Sequence, residues 1–196
     1  PFILFALTSP FRQCYNSCNF KEGGTPLQQK TYDIVYTGMF AVLLAICSWI
    51  SIPTLIPFTL QTFGVFLTLF VLGGKRGTGV IALYLLLGAI GIPVFSHFGA
   101  GLGYLLGNTG GYALGFLFPG FFVWAFEKLP GKKSILTICS MILGLAACYI
   151  FGTFWFMKIS IASKTSMELT SVFSMCVIPF ILPDCIKLFL AYLISK

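Results

Sequence analysis

What this chain has least of is charge. Of its 196 residues only 9% are charged, five of them acidic, and there is a single histidine, while 58% are hydrophobic. Mean hydropathy is +0.96. A soluble domain carries about 25% charged residues, so too few polar side chains are present to cover a water-soluble globule. That excludes a secreted or cytosolic enzyme. Catalytic signatures are lacking as well: H-E-x-x-H, G-x-S-x-G and Walker A patterns do not occur. An intramembrane enzyme would need a nucleophile or metal ligands facing a pocket, and neither constellation is there. The chain cannot hydrolyse ATP by itself, and Gly73-Gly74-Lys75-Arg76 reads as a turn between helices. His97 stands alone in a Gly-rich loop and reads as incidental. The seven cysteines are odd in number. Five lie in apolar stretches, where a free thiol packs as a small hydrophobe. Cys14-x-x-x-Cys18 has no partners at metal-site spacing. No metal and no cofactor is expected.

What is present is long uncharged runs: 41 residues between Asp33 and Lys75, 50 between Arg76 and Glu127, and 24 from Ser134 to Met157. A transmembrane helix needs about 20 mostly apolar residues, so each of the two longest runs holds two spans. The expectation is an all-α integral membrane protein of six transmembrane helices. They cover about Ile34–Ile50, Thr59–Leu72, Thr78–Ile92, Thr109–Phe126, Ser134–Met157 and Thr170 to the C-terminus. The last is interrupted by Pro179 and Pro183, with an unwound stretch expected between them. Residues 31–196 form one domain. Residues 1–30 hold an apolar start too short to span and no signal-peptide pattern, and no role is assigned to them.

The net charge of +7 would suggest nucleic acid on a soluble domain, but here the basic residues sit in short loops, so no such partner is expected. Lys75 and Arg76 join the second and third spans; Glu127, Lys128, Lys132 and Lys133 join the fourth and fifth. Arg12, Lys21 and Lys30 precede the first span, and Lys196 ends the chain. The first-to-second and third-to-fourth loops have no Lys or Arg. Only the fifth-to-sixth loop, with Lys158, Lys164 and Glu168, departs from the pattern. Excess positive charge marks the cytoplasmic side, which places both termini inside.

A few polar groups fall where a membrane is apolar. Asp184 and Lys187, at i and i+3, share one helix face. Asp184 lies twelve residues before Lys196, about 18 Å along a helix, in the outer half of the bilayer. An intramembrane charge costs at least about 2.5–3.5 kcal/mol and is by default a functional-site hypothesis; the alternative is an ion pair that only holds the bundle together. Thr59 and Gln61 enter the second span from the outer side, Asn108 and Tyr112 enter the fourth, and Tyr84 lies one turn inside the third. Each polar helix end alone reads as a cap. Together with a charged pair at similar depth they read as a ligand pocket in the outer half of the bundle. On the first span, Gly38, Ala41 and Ala45 form a face of small residues that lets a helix approach closely, from within the chain or from a partner.

Several ordered motifs carry a resemblance. The run Ile56-Pro57-Phe58-Thr59-Leu60-Gln61-Thr62-Phe63-Gly64-Val65, then Lys75-Arg76-Gly77, then Leu83 through Phe95, then Asn108-Thr109-Gly110-Gly111-Tyr112 and Pro183-Asp184-Cys185-Ile186-Lys187, resembles the BioY family. That family comprises biotin-specific S components of bacterial energy-coupling factor transporters. The residue at 108 is often Pro in the family, a departure that weakens Asn108 as a shared contact. The resemblance implies a multi-pass protein of the bacterial cytoplasmic membrane with a biotin pocket near the outer surface. It implies Asp184 and Lys187 as essential pocket residues, and Asn108, Gln61, Thr59, Tyr84 and Tyr112 can complete the polar set. It also implies docking through the Ala41/Ala45 face on a membrane coupling subunit that carries two ATPases. A biotin carrier that works without a motor is the alternative.

Overall fold

The computed structural model describes residues 26–52, 58–129, 133–162 and 177–195. Cys14, Cys18, Cys176 and most of the fifth-to-sixth loop, Lys164 and Glu168 included, lie outside the described residues. In chain order the elements are helix α1 (Pro26–Trp49), strands β1 (Ser51–Ile52) and β2 (Phe58–Thr59), α2 (Gln61–Ile90) and a 3-10 turn at Ser96–Phe98. Then come α3 (Leu102–Leu105), α4 (Gly110–Gly115), α5 (Leu117–Phe126), α6 (Lys133–Ala162) and α7 (Ile178–Ser195). Among the described residues four helices, α1, α2, α6 and α7, are long and apolar enough to cross a membrane.

α2 is two spans in one. Gly73 alone leaves the helical region, at φ 77 and ψ 178, a backbone that glycine adopts without strain. The chain folds back on itself there. Gln61 bonds to Tyr84 across 23 residues, which a straight helix would hold about 35 Å apart. The second arm begins on a cap: Glu127 Oε1 accepts the Gly74 N–H at 2.6 Å. A Cβ on Gly74 would lie 2.2 Å from the Trp124 backbone nitrogen, so the turn is locked against the end of α5.

Four boundaries differ from the sequence expectation, one of them the end of α6, which runs to Ala162 and takes in Lys158, expected in the fifth-to-sixth loop. α1 starts at Pro26 rather than near Ile34, because Pro in a first turn forfeits no bond and Asp33 meets Arg76 at 3.2 Å. The fourth span is broken between α4 and α5, since Pro119 has no N–H for the Gly115 carbonyl and its ring crowds that oxygen. The sixth span is not unwound between Pro179 and Pro183: α7 runs through both. Pro179 sits in the first turn, where an N–H has no partner anyway, and Pro183 gives up a single bond. The N–H groups of Phe180 and Ile181 both reach the Val177 carbonyl. A short antiparallel ribbon, Ser51 opposite Thr59 and Ile52 opposite Phe58, is an addition to the all-helical expectation.

The hairpin of α2 is the centre of the bundle and packs on α1, α5 and α7, while α6 covers α4 and α5. Phe66, Leu67, Val80 and Ile81 are fully enclosed. Outward-facing Ile142, Leu143, Ile150, Phe154 and Phe189 are exposed, a surface suited to hydrocarbon, with the backbone bonded internally as a bilayer requires. The Gly73 turn and the end of α5 mark one end of the bundle. The ribbon, the starts of α4 and α7, and a bond from Trp49 Nε1 to the Pro93 carbonyl (2.9 Å) mark the other.

Candidate functional site

The ribbon end holds a buried polar cluster. Asp184 and Lys187 lie one turn apart on α7 and are 3% and 5% exposed. Lys187 Nζ donates to Asp184 Oδ1 at 2.8 Å and to the Thr59 carbonyl at 2.8 Å. That carbonyl is delivered by β2, and the Phe58 ring on the same strand lies 4.2 Å from Nζ, in cation–π range. On the other side, Tyr149 Oη of α6 donates to Asp184 Oδ2 at 2.5 Å. The two charges therefore neutralise each other inside the protein. A carboxylate has about four lone-pair sites and an ammonium three N–H groups, so both members keep bonding capacity for a solute.

That capacity borders a cavity. Its polar wall is Thr59, Thr62, Tyr149, Asp184 and Lys187; its apolar wall is Tyr112, Phe116, Leu145, Cys148 and Phe180. The free space is about 440 Å³ out to the mouth, of which about 60 Å³ can hold the centre of a water molecule. Phe180 meets Phe58 at a tilt of 34° with centroids 5.8 Å apart, and Phe116 sits at the α4–α5 break. Tyr112 is seated against Gly152, where a Cβ would come within 2.3 Å of its ring, and its hydroxyl meets Thr153 Oγ1 at 3.3 Å.

Of the residues expected from the sequence, Thr59, Tyr112, Asp184 and Lys187 line this one cavity. Gln61 and Tyr84 are brought together beside it but do not line it. Gln61 Nε2 donates to Tyr84 Oη (3.1 Å), and that hydroxyl donates to the Val94 carbonyl (3.0 Å). Asn108 is exposed in the turn before α4, and His97 is exposed in the 3-10 turn. On α1, Ala41 and Ala45 are 4% and 5% exposed and belong to the core. Packing within the chain accounts for them as placed here, and only Gly38 of the small-residue face looks outward, into open space. Thr62 belongs to the polar run that opens the second span and lines the cavity as well, whereas Tyr149, Phe116, Leu145, Cys148 and Phe180 are not among the residues the sequence singles out. A hydroxyl within the third uncharged run, the fifth span, is the available signal for Tyr149; the apolar four carry none.

Comparison with known proteins decides the family. The BioY family model matches residues 21–196. The chain belongs to the BioY family. It is 38% identical over 165 residues to the biotin transporter BioY of Thermotoga maritima, covering 83% of this chain and 92% of that protein. It is 33% identical over 168 residues to a probable biotin transporter BioY of Pyrococcus horikoshii, covering 85% and 96%. The fold matches a crystal structure of the S-component for biotin from an ECF-type ABC transporter with a TM-score of 0.74. That match has 28% identity and covers 88% of this chain and 93% of the other. As a BioY-family member the chain is a membrane-embedded bundle of six helices, the two arms of α2 counting separately and α4–α5 counting as one.

Proposed function

We propose that this chain captures biotin as the substrate-binding S component of an ECF-type ABC transporter, a transport subunit rather than an enzyme. The observation that carries the reading is the Asp184–Lys187 pair, buried at a cavity wall in a chain whose relatives are named biotin transporters. The ureido ring of biotin offers two N–H donors beside one carbonyl acceptor. An acceptor and a donor one helical turn apart match that edge, and bonds to charged partners are roughly twice as strong as neutral ones. The apolar bicycle and chain fit against Phe116, Leu145 and Phe180.

In this reading the protein lies in the bacterial cytoplasmic membrane with both termini inside, following the Lys/Arg bias of the loops. The ribbon end then faces outward, and biotin reaches the cavity from that side. ATP hydrolysis belongs to two separate ATPase subunits joined through a membrane coupling subunit, and the open face of α1 around Gly38 is where close helix contact with that subunit is possible. The test is calorimetric titration of the detergent-purified chain with biotin and, in parallel, thiamine and riboflavin. Saturable one-site binding of biotin alone is expected; absence of binding, or equal binding of all three, refutes the proposal.

A further inference from the structure

The Asp184 carboxylate is held from two helices. Lys187 takes Oδ1 from its own helix, and Tyr149 takes Oδ2 from α6 at 2.5 Å, the short end of the range for an O–H donor on a carboxylate. Lys187 alone would leave the carboxylate poorly oriented, because the terminal torsion of Asp has a broad, roughly two-fold well. The two helices do not pack broadly on each other. The cavity lies between them, and the Tyr149–Asp184 bond crosses its wall. Tyr149 also lines that cavity, yet it offers its hydroxyl hydrogen to Asp184 and only the remaining lone pairs and the ring to a solute.

The geometry points to Tyr149 as a positioning residue for head-group recognition: its hydroxyl fixes the plane of the Asp184 carboxylate so that the unused lone pairs face a neutral urea-type head group in the cavity. This rests on the biotin reading above and adds to it a third polar residue that acts through Asp184. The dipole of the hydroxyl also offsets part of the carboxylate's charge. Together with Lys187 it makes the site suited to a head group that is polar but uncharged.

Equilibrium binding of radiolabelled biotin to the purified wild type, Tyr149→Phe, Asp184→Asn and the double variant tests it. Asp184→Glu, which keeps the charge but moves the oxygens by one methylene, is a second background for the cycle. Tyr149→Phe is expected to weaken binding by about tenfold with unchanged helicity and monodispersity. In either Asp184 background the same change is expected to cost less than about twofold, since residues that act through one another are non-additive. Additive losses would make Tyr149 a contact in its own right and overturn the inference, as would wild-type affinity in Tyr149→Phe. Loss of folding in Tyr149→Phe would make the hydroxyl a strut between helices and overturn it equally. If the wild type itself does not bind biotin, the functional proposal falls and this inference with it. Binding by the wild type with no effect of Tyr149→Phe sinks the inference alone.

Discussion

Combining Asp184→Asn with Lys187→Met separates a ligand site from an ion pair that merely joins the bundle. The two side chains are 4% and 7% exposed and 2.8 Å apart. Removing one partner of such a pair strands the other in a low-dielectric interior, at a cost of about 3–5 kcal/mol. In Asp184→Asn the ammonium keeps the Thr59 carbonyl and the Phe58 ring; in Lys187→Ala the carboxylate keeps Tyr149. These remaining partners place both single variants near the lower end of that range. A ligand hydrogen bond to a charged group contributes about 1.5–3 kcal/mol, and about 1.4 kcal/mol is tenfold in affinity, so each single variant, having lost such a bond, is expected to bind biotin about ten- to a hundredfold more weakly. The double variant removes both charges, and replacing a buried pair by groups of similar volume is often neutral or stabilising. Its thermal midpoint in detergent is therefore expected to match or exceed that of either single variant. Calorimetry should nonetheless detect no biotin binding, because the acceptor charge and the donor are both gone. Wild-type affinity in the double variant would refute the assignment of Asp184 and Lys187 as ligand contacts, whatever its stability.

The other expectations concern packing, access and orientation. Gly74→Ala drives a methyl into the Trp124 backbone at 2.2 Å; overpacking costs about 1–3 kcal/mol and backbone yields least, so a clear fall in thermal midpoint is expected, and an unchanged melt would refute the locked turn. Ala45→Leu, at a position 5% exposed, should destabilise by about 1–3 kcal/mol and lower biotin binding together with uptake; loss of uptake alone, with binding and melting intact, would instead make this face a partner surface. In a variant whose sole cysteine is Cys148, saturating biotin should slow alkylation by a small neutral thiol reagent, because that thiol lines the cavity, and equal rates with and without biotin would exclude the ligand from this space. A cysteine at Asn108 should react with a membrane-impermeant reagent on intact cells while one at Lys128 should not, and the reverse pattern would invert the topology.

Much of the fold is legible because a bilayer leaves a chain few options. Backbone polar groups in hydrocarbon must bond internally, so uncharged runs of the right length become helices, and the six rods follow from run length and the Gly73-Gly74 punctuation. Where expectation and structure part, proline figures at the start of α1, in the fourth span and in the sixth. Pro119 breaks a run that counts as uninterrupted by hydropathy, and Pro183 sits inside a helix that its presence argues against. Single-sequence reasoning treats proline as a stop, whereas the cost depends on whether the missing N–H had a partner at that turn. The small residues of α1 show the same limit. A face of Ala41 and Ala45 permits close approach by any helix, and only the folded chain shows that both are buried in its core.

The site was legible where it carries charge and illegible where it carries only shape. Asp184 and Lys187 stand out because a charged pair in an apolar run is costly unless used, and Thr59 because a polar group begins a span. Tyr149 is different. A tyrosine in a membrane helix is unremarkable by composition, and nothing in sequence order links position 149 to position 184. Their pairing depends on α6 facing α7 across a cavity, a relation set by how α4 and α5 seat α6 through Gly152 and Tyr112. Phe116, Leu145 and Phe180 are apolar residues in apolar helices and become pocket walls only because a proline-broken helix and a strand ribbon leave space between them. Conversely, Gln61 and Tyr84 carry the right chemistry, yet in this structure they satisfy one another and the Val94 carbonyl. Polar groups at one depth of a bundle can serve a ligand or each other, and the direction of a hydroxyl, which sequence does not encode, decides between the two.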